Sequence, residues 1–302
     1  MIVYLKNSEI EREQWDNCIR HTSGAKPYAC SWFLDIVSPG WEALVDDEYD
    51  SVFPLPVASR LGIKYLITPR LVQQLGVYSP DKPAPLMLRE FLDYMPALYR
   101  SVDLCIAHYT DCHGFNVEEK TNYELHLSRP YDGLEESFTP ACRRYITSSA
   151  SRKYEIFRDL TPEEMTALFL TGIKYNRSDL TKNDLLRLTE LMHFCISTKK
   201  GSLVGMRLPG RHTVYGLFLV NVHGFLTILL EANTRESIVK HLRYIALNEI
   251  IRENSQSHKT LDFGCLSSAG QPIAPGSLFG AASVPYFRIS RNNLFWPLRI
   301  KP

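Results

Sequence analysis

Cysteine and histidine residues lie close together in one stretch, Cys105-x-x-His108-x-x-x-Cys112-His113. Thiolates and imidazoles are ligands that Zn²⁺ prefers, so these residue types are compatible with a metal site. From Val102 onwards, however, apolar side chains alternate as in a β-strand, which would place Cys105 and His108 on opposite faces. The stretch therefore predicts a buried thiol and a histidine in a loop, and we predict no metal-binding residues.

Asp262-Phe263-Gly264 matches the triplet with which protein kinases hold a metal ion. The catalytic-loop motif, the Gly-rich loop and the paired lysine of a kinase are missing, and too little chain follows for an activation segment. The sequence also lacks Gly-x-Ser-x-Gly, Gly-x-x-x-x-Gly-Lys, His-Glu-x-x-His and Gly-x-Gly-x-x-Gly. Kinase, hydrolase, nucleotidase, metalloprotease and dinucleotide-dependent dehydrogenase functions are therefore not indicated.

The composition is that of an ordinary globular protein. The 302 residues are 45% hydrophobic and 22% charged, with a net charge of +1. This charge is low for a non-specific nucleic-acid binder, because phosphate contacts need Lys and Arg. Seven singly placed cysteines favour reduced thiols and a cytoplasmic location. We find neither a secretory signal at the start of the sequence nor an uninterrupted apolar stretch that could span a membrane.

The two halves of the sequence show the same order of elements: a strand, two helices, three strands, a helix and a strand. In the first half, a capping box of Ser8 and Glu11 predicts a helix to about Arg20. Three strand-like runs follow between 41 and 68. In each half, short turns between the three strands predict antiparallel pairing, and the helix before the last strand implies a parallel crossover.

The second half begins near residue 150, after a helical connection over 134–150. Thr161 and Thr181 each begin a helix with a capping box, and Thr234 begins a long helix to about Asn254. Three strands lie between the second and third of these helices, and a last strand follows. The chain is therefore expected to contain two similar domains in tandem.

This doubled order is similar to the fold of the GNAT N-acetyltransferases, and two copies in one chain resemble the Fem-type aminoacyltransferases of bacteria. Four stretches resemble motifs of that family: Tyr28-Ala-Cys-Ser-Trp-Phe-Leu-Asp35, Gln73-Gln-Leu-Gly-Val-Tyr78, Arg143-Arg-Tyr-Ile146, and Leu261-Asp-Phe-Gly264 followed by Phe279-Gly-Ala281 and Tyr286. The sequence departs from the family at Cys265, where serine is expected, and at 274–278, where aromatic and basic residues are usual.

The resemblance implies an α/β protein with mixed sheets and two tandem GNAT-like domains, the acyl-CoA N-acyltransferase fold. Residues 1–150 would form the first domain, with the linker helix and a wall of the acceptor cleft. Residues 151–302 would form the second domain, with the donor site. The implied function is transfer of an acyl or aminoacyl group to an amine, in bacterial cell-envelope biosynthesis.

In such a fold, acyl transfer needs a base for the amine, a donor to the oxyanion and a proton for the leaving group. Glu231 and Asp262, at the ends of two strands, are the candidate bases, and Tyr286 is the candidate acid or oxyanion donor. Each has a structural alternative: a solvated strand end for Glu231, a residue closing the turn at Gly264 for Asp262, and a packed strand aromatic for Tyr286.

The donor would lie between the parted fourth and fifth strands of the second domain, with its phosphates at the N-terminus of the following helix. That position is Asn233, Thr234 and Arg235. No glycine allows close approach of a pyrophosphate there, which argues against coenzyme A, whereas the near-neutral charge argues mildly against tRNA. Both acyl-CoA and aminoacyl-tRNA therefore remain open as co-substrates, and no tightly bound cofactor is expected.

The acceptor would be a small amine or a compound resembling a peptidoglycan precursor. By resemblance, Gln73, Gln74 and Tyr78 would line its cleft, and Arg143 and Arg144 would meet its phosphates. The last two belong to the densest basic stretch of the sequence, with Arg152, Lys153 and Arg158, and a solvated helix face is the alternative interpretation. A non-catalytic protein that binds a ligand or peptide on the same fold is the alternative function.

Overall fold

The computed structural model describes residues 1–46, 48–109, 113–150, 154–176, 179–207, 212–264 and 274–293. The chain forms two compact units. The first unit contains Met1–Thr121 and the residues from Pro285 onwards, and the second contains Asn122–Val284. The C-terminal strand thus belongs largely to the first unit, and the predicted boundary of the two repeats near residue 150 stays a prediction.

The first unit alternates helices and strands in the predicted order. Its elements are β1 (Ile2–Leu5), α1 (Arg12–His21), α2 (Ser31–Val37), β2 (Glu42–Asp46), β3 (Ser51–Leu55), β4 (Val57–Arg60), β5 (Ile63–Ile67), α3 (Ala84–Asp93) and β6 (Ser101–Ile106). Strands β1, β2 and β3 pair antiparallel. After Pro56 the chain continues as β4, which pairs antiparallel with β5, and β5 pairs parallel with β6.

The core of the first unit lies between the β-strands and α3. Leu88, Phe91 and Leu92 of α3 are buried with strand residues such as Leu66 and Leu104. Their spacing along the helix places them on one face, as the helical period requires. The apolar face of α3 thus fixes the helix between β5 and β6, as in a right-handed parallel crossover.

The second unit repeats the order after a helical connection. Its elements are β7 (Asn116–His126, which begins in the first unit), α4 (Tyr131–Glu135), α5 (Pro140–Ala150), β8 (Glu155–Phe157), α6 (Pro162–Thr171), α7 (Lys182–Ser197), β9 (Gly201–Arg207), β10 (Thr213–Val222), β11 (Phe225–Asn233), α8 (Arg235–Val239), α9 (Leu242–Asn254), β12 (Thr260–Asp262), α10 (Pro275–Leu278) and β13 (Ala282–Asn292, which ends in the first unit). Strands β8 to β11 pair antiparallel in sequence order. Strand β12 pairs parallel with β11 and antiparallel with β7.

The predicted order of elements is confirmed in the second half, and the capping boxes at Thr161, Thr181 and Thr234 are present. In the first half, the second of the three predicted strands is divided at Pro56 into β3 and β4, so that four strands lie between α2 and α3. The capping box at Ser8 was a wrong prediction: Glu9 accepts a hydrogen bond from the Lys6 amide, and α1 begins only at Arg12. A short 3₁₀ turn occupies the residues between.

Two predicted long helices are each interrupted. The helix after Thr234 stops at Lys240, and His241 has the left-handed backbone conformation (φ +54°) before α9 begins. The helix predicted over 134–150 is two helices, because Pro140 begins α5. Proline lacks the backbone N–H that a helix interior requires, so it favours a helix start.

Candidate functional site

The parallel strands β11 and β12 part after a short region of pairing. Three residue pairs join them, ending at Thr227 and Asp262, and β11 then continues to Asn233. In the part of the chain that the structure describes, no further pair joins the two strands. Beyond Thr227, the side of β11 toward β12 therefore lacks a paired strand among the described residues.

The same strand carries a β-bulge. Phe218 of β10 faces Leu230, whereas the next residue, Leu219, faces Ile228, so that Leu229 has no counterpart in the ladder. A bulge turns local backbone groups away from their regular direction, and bulges often lie beside functional sites. The bulge and the parting of the strands occur on the same short stretch of β11.

Glu231, a predicted base, is held in a buried ion pair. Its Oε1 accepts hydrogen bonds from the Tyr215 hydroxyl (2.8 Å) and Arg243 Nε (2.5 Å), and its Oε2 accepts one from an Arg243 terminal nitrogen. The Glu231 and Arg243 side chains are 6% and 8% exposed. Burial opposes the charge of Arg243, but the nearby carboxylate raises its pKa overall. In this arrangement the lone pairs of Glu231 already have donors, so the residue orients the N-terminal turn of α9 against β11.

Asp262, the second predicted base, is fully buried where the strands part. Its Oδ1 accepts from Asn122 Nδ2 (2.6 Å) and the Gly264 amide (3.2 Å), and its Oδ2 accepts from the Thr227 hydroxyl (3.2 Å). The contact with the Gly264 amide, where the backbone has a positive φ, is the turn-closing interaction that the alternative interpretation describes. The carboxylate ties β12 to β7 and β11 at the end of the paired region.

Tyr286, the predicted acid, lies on β13 and is buried. It belongs to the first unit, whereas Glu231 and Asp262 belong to the second. The three predicted catalytic residues are thus divided between the two units.

The predicted donor-binding residues satisfy one another at the start of α8. The Thr234 hydroxyl accepts from the Ser237 amide (3.3 Å), and the Ser237 hydroxyl accepts from the Thr234 amide (2.9 Å). Asn233 is buried, and its Oδ1 accepts a hydrogen bond from the Ser237 hydroxyl at 3.1 Å. Only Arg235 of the three is exposed to solvent. The side chains of Thr234 and Ser237 therefore occupy two of the N–H groups that a helix start would offer to a phosphate.

Asn176 fixes the end of β11 from the other side. Its Oδ1 accepts from the Asn233 amide (2.7 Å), and its Nδ2 donates to the Asn233 and Phe169 carbonyls. Gly172, at the end of α6, lies so close to the Asn233 carbonyl that an added Cβ would be only 1.7 Å from the oxygen. The glycine allows α6 to approach the strand, and neither residue is marked by a sequence motif.

In the first unit, Gln74 and Tyr78 line a pocket of about 330 Å³. Gln73 is not among its lining residues. The segment that carries them is fixed by its backbone: Leu75 exchanges hydrogen bonds with Cys105 and Ala107, and Tyr78 exchanges two with Val52. Residues 22–26, 79–83, Pro85, Ala107 and His108 form the other walls. This surface we call the Gln74 pocket.

The predicted basic residues lie on α5 in the second unit. Arg143 donates to the Glu135 and Glu136 carbonyls at the end of α4 (3.1 and 3.0 Å), an interaction that satisfies a helix terminus. Arg144 is exposed. Arg158 forms an ion pair with Glu253, and Arg152 and Lys153 lie outside the described residues. The proposed phosphate contacts of Arg143 and Arg144 stay a prediction.

Cys105 lies on β6 and carries a free thiol, as do Cys18, Cys30, Cys142 and Cys195. Burial raises the pKa of the Cys142 and Cys195 thiols to about 12, so they are protonated at neutral pH. Cys112 of the candidate metal motif lies outside the described residues, and among the described residues no group of three or more potential ligands could hold a metal ion.

Sequence reasoning missed the residues that contact the predicted site residues. Arg243 and Tyr215 reach Glu231 from twelve and sixteen positions away, and Asn176 reaches Asn233 from 57 positions away. In the first unit, Lys26 and His108 line the Gln74 pocket beside the predicted residues. Such pairings depend on tertiary structure, and no local pattern indicates them.

No protein-family model matches the sequence, and no curated protein gives a significant match. Solved structures do match: FemX has a TM-score of 0.61 at 11% identity, covering 93% of this chain and 96% of its own. L-PGS from Bacillus licheniformis has a TM-score of 0.54 at 10% identity, covering 94% and 92%. A tandem GNAT protein from the clavulanic acid biosynthesis pathway has a TM-score of 0.55 at 11% identity, covering 96% and 98%.

Among the described residues, every helix is too short or too polar to cross a bilayer.

The two repeated units, the parallel crossover in each, and the similarity over nearly the whole length of both chains agree on one architecture. The chain has the Fem-like fold of two tandem GNAT-type units.

Proposed function

We propose that this protein transfers an acyl or aminoacyl group from an activated donor to an amine, and that the donor binds at the parted strands of the second unit. The amine nitrogen attacks the carbonyl carbon, the bond from that carbon to the sulfur or oxygen of the leaving group breaks, and the amine proton passes to the leaving group. The single observation that carries the proposal is the open edge of β11 beyond Thr227, next to the bulge at Leu229.

This edge suits an acyl donor for a physical reason. An ester or thioester presents a carbonyl oxygen that becomes negative when the amine adds, and backbone N–H groups in fixed positions stabilise that charge. A bulge and an unpaired strand edge supply such groups without a dedicated side chain. In this proposal, stabilisation of the oxyanion therefore does not depend on a catalytic side chain.

The start of α8 bears on the nature of the donor. Because Thr234 and Ser237 cap each other there, a pyrophosphate that used the Thr234 and Ser237 amides would have to displace two hydrogen bonds. The end of a tRNA carries single phosphodiesters and no pyrophosphate, so an aminoacyl ester does not need a pyrophosphate site at this helix start. We therefore propose aminoacyl-tRNA ahead of acyl-CoA as the donor, with acceptor chemistry in keeping with a small amine or a peptidoglycan-precursor-like compound.

The donor site can be tested by hydrogen–deuterium exchange read out by mass spectrometry. A donor that adds to the sheet edge should slow exchange in peptides covering 228–233 of β11, because its backbone amides gain partners. Peptides from 215–220 of β10, which pairs with β9 on one side and β11 on the other, are the internal control. The probes are acetyl-CoA and a mixture of aminoacylated tRNAs, each compared with the deacylated compound.

Transfer itself is measured by mass spectrometry of an amine panel incubated with each donor. The variants Glu231→Gln, Asp262→Asn and Tyr286→Phe separate the predicted catalytic roles: a variant that loses turnover but keeps its melting temperature removes a catalytic group. If neither donor protects 228–233 and no amine is modified, the proposal is wrong.

One observation favours a non-catalytic binding protein as the second candidate. Both predicted bases, Glu231 and Asp262, are buried among donors that already occupy their oxygens. A base must be able to reach the proton that it removes. A ligand that binds with no transfer to any amine would support this candidate.

A further inference from the structure

The sheet of the first unit also contains a pocket of about 310 Å³, which we call the Asp103 pocket. Its walls are residues 65–67, 101–103, Asn116, Arg288 and 290–292. Asp103 of β6 stands opposite Ser290 of β13 and beside Ile67 of β5. The next residues along two of these strands, Val102 and Ile289, belong to the buried core. Since side chains alternate between the two faces of a strand, Asp103 and Ser290 lie on the face away from that core.

An ion pair on this outward face can be reached by a ligand. Arg288 donates two hydrogen bonds to Asp103, from Nε to Oδ1 (2.7 Å) and from a terminal nitrogen to Oδ2 (2.6 Å). The Arg288 and Asp103 side chains are 31% and 18% exposed. Each carboxylate oxygen keeps a lone pair for a second donor. The other terminal nitrogen of Arg288 lies 3.6 Å from a Glu118 oxygen, beyond hydrogen-bond distance, so it keeps its donors for a ligand.

The charges on the outward face balance each other. Asp103 pairs with Arg288, and the Glu118 carboxylate lies 3.6 Å from the ammonium group of Lys120. Arg291 also lines the pocket, but the alternation along β13 places its side chain on the core face, where its guanidinium lies over an aromatic ring (4.5 Å). Because these charges already have partners of opposite sign, a neutral ligand fits the pocket better than an ion.

Three further polar side chains of the pocket have hydrogen-bonding groups to spare. Ser290 and Tyr65 are partly exposed and Asn116 is exposed. The side chains of these three residues form no hydrogen bond with any residue that the structure describes. The two hydroxyls can each donate and accept, and the Asn116 amide does both through different atoms. Ile67 and the ring of Tyr65 add apolar surface beside these groups.

This set of groups suits a sugar. Adjacent hydroxyls of a sugar ring can bind a planar carboxylate or guanidinium through two hydrogen bonds at once, as other bidentate partners do. Because each hydroxyl both donates and accepts, one ring can use the acceptors of Asp103 and the donors of Arg288. The C–H face of the ring can pack against Tyr65 and Ile67, and the volume admits a mono- or disaccharide. A peptide, by contrast, bonds best to an unpaired strand edge.

We infer that the Asp103 pocket binds a neutral saccharide, with sugar hydroxyls on Asp103 and Arg288 and the ring against Tyr65. All of the residues that line the pocket belong to the first unit, whereas the parted strands β11 and β12 belong to the second. The inference therefore goes beyond the proposed function, because saccharide binding does not require that an acyl group is transferred.

The experiment is a titration of the full chain, followed by saturation-transfer-difference NMR and by calorimetry. The neutral probes are D-glucose, D-galactose, D-mannose and N-acetyl-D-glucosamine. Glucuronate and glucosamine are the matched charged probes for glucose and N-acetylglucosamine, and N-acetyl-alanyl-alaninamide is a neutral peptide probe. We expect at least one neutral sugar to bind with a millimolar Kd or tighter, and the charged probes to bind no more tightly than their neutral counterparts.

Three variants locate the site. Asp103→Asn removes the charged acceptor and should weaken binding of the sugar about tenfold or more, whereas Ser290→Ala and Asn116→Ala should each weaken it about two- to tenfold. The last two should fold like the parent chain, since they remove groups that have no partner among the described residues. Ser202→Ala on β9 and Asn221→Ala on β10 make the same changes on strands of the second unit and should leave binding unchanged.

The inference is overturned if no neutral sugar binds at tens of millimolar, or if a charged probe binds more tightly than its neutral counterpart. It is also overturned if the peptide probe binds in preference to every sugar, or if Ser290→Ala and Asn116→Ala both bind like the parent chain. Its failure is distinguishable from failure of the proposed function, because binding of sugars is measured without a donor or an amine. Sugar binding by a chain that transfers no acyl group would support the inference and contradict the proposed function.

Discussion

Each unit contains two parallel strands that separate after a short paired region. The residues that follow this paired region differ between the two units. In the first unit, β5 ends at Ile67, and the segment that follows lies along β6. The Thr68 hydroxyl accepts a hydrogen bond from the Cys105 amide (2.7 Å), and the Leu75 backbone forms hydrogen bonds with Cys105 and Ala107. The protein's own backbone thus satisfies the edge of β6 where a ligand could otherwise bind.

In the second unit, β11 instead runs on from Ile228 to Asn233 with no described strand paired to it on the side of β12, and the Asn176 side chain bonds to the backbone of Asn233 at its end. The same arrangement of elements therefore differs at the gap. In the first unit the returning segment bonds to β6 and contributes to the Gln74 pocket, whereas in the second no described strand follows β11 on that side.

The largest expected difference in unfolding free energy is between variants that remove the cation beside the buried glutamate of each unit. Arg243→Met leaves the Glu231 carboxylate buried without its cation and should cost about 3–5 kcal/mol of unfolding free energy. Lys64→Met removes the cation of Glu42, but Lys64 is 50% exposed and the hydroxyls of Tyr4 and Tyr99 still donate to Glu42, so we expect about 0–1 kcal/mol. Urea unfolding measures both values.

A double variant provides the control for this comparison. Glu231→Leu combined with Arg243→Met removes both charges, and it should recover much of the lost stability because no unpaired charge remains. Equal losses for Arg243→Met and Lys64→Met would show that burial does not distinguish the two ion pairs.

A single substitution can remove a hydrogen bond that joins the returning segment to β6 in the first unit. Thr68→Val replaces the hydroxyl that accepts the Cys105 amide by a methyl group, leaving that amide without its partner. The expected loss is about 1–3 kcal/mol, the cost of an unsatisfied polar group. Thr68→Ser keeps the hydroxyl and should lose clearly less, as measured by the urea midpoint. Identical losses would mean that the methyl group of Thr68, and not the hydrogen bond, closes the gap.

A smaller effect separates capping from donor binding at the start of α8. Thr234→Ala should cost about 1 kcal/mol, and so should Thr161→Ala at the start of α6, since each removes the side-chain acceptor of a helix start. If that helix start does not hold donor phosphates, Thr234→Ala should leave donor protection of 228–233 unchanged. A selective loss of acetyl-CoA protection in Thr234→Ala would revive coenzyme A as the donor.

Much of the fold could be predicted because its signals are local. The helices after Thr161 and Thr181 start where their caps indicate, and the helix Ser31–Val37 ends just before Pro39-Gly40, as the sequence predicts. Strand β7 gave no signal, because most of its residues are exposed and polar, as in Glu118 to Lys120. Its position depends on pairing with β12, whose residues are more than 130 positions away.

The candidate site was harder to predict than the fold. The strand ends carrying Glu231 and Asp262 could be placed from sequence, but not the Arg243 and Asn122 side chains that occupy their carboxylates. A carboxylate has the same sequence signature whether it acts as a base or as half of an ion pair. The difference lies in what tertiary packing brings to it.

The smallest expected effect concerns one histidine in each unit. Desolvation lowers the pKa of His108 in the first unit and of His241 in the second, below the value of about 6.5 for an unfolded chain. Between the pKa of the folded state and that of the unfolded state, the unfolded chain binds more protons than the folded one. The free energy of unfolding is therefore unaffected above about pH 6.5 and decreases as the pH falls toward the pKa of the folded state. Urea midpoints between pH 7.5 and 5.5 should therefore decline less in His108→Gln and His241→Gln than in the parent chain.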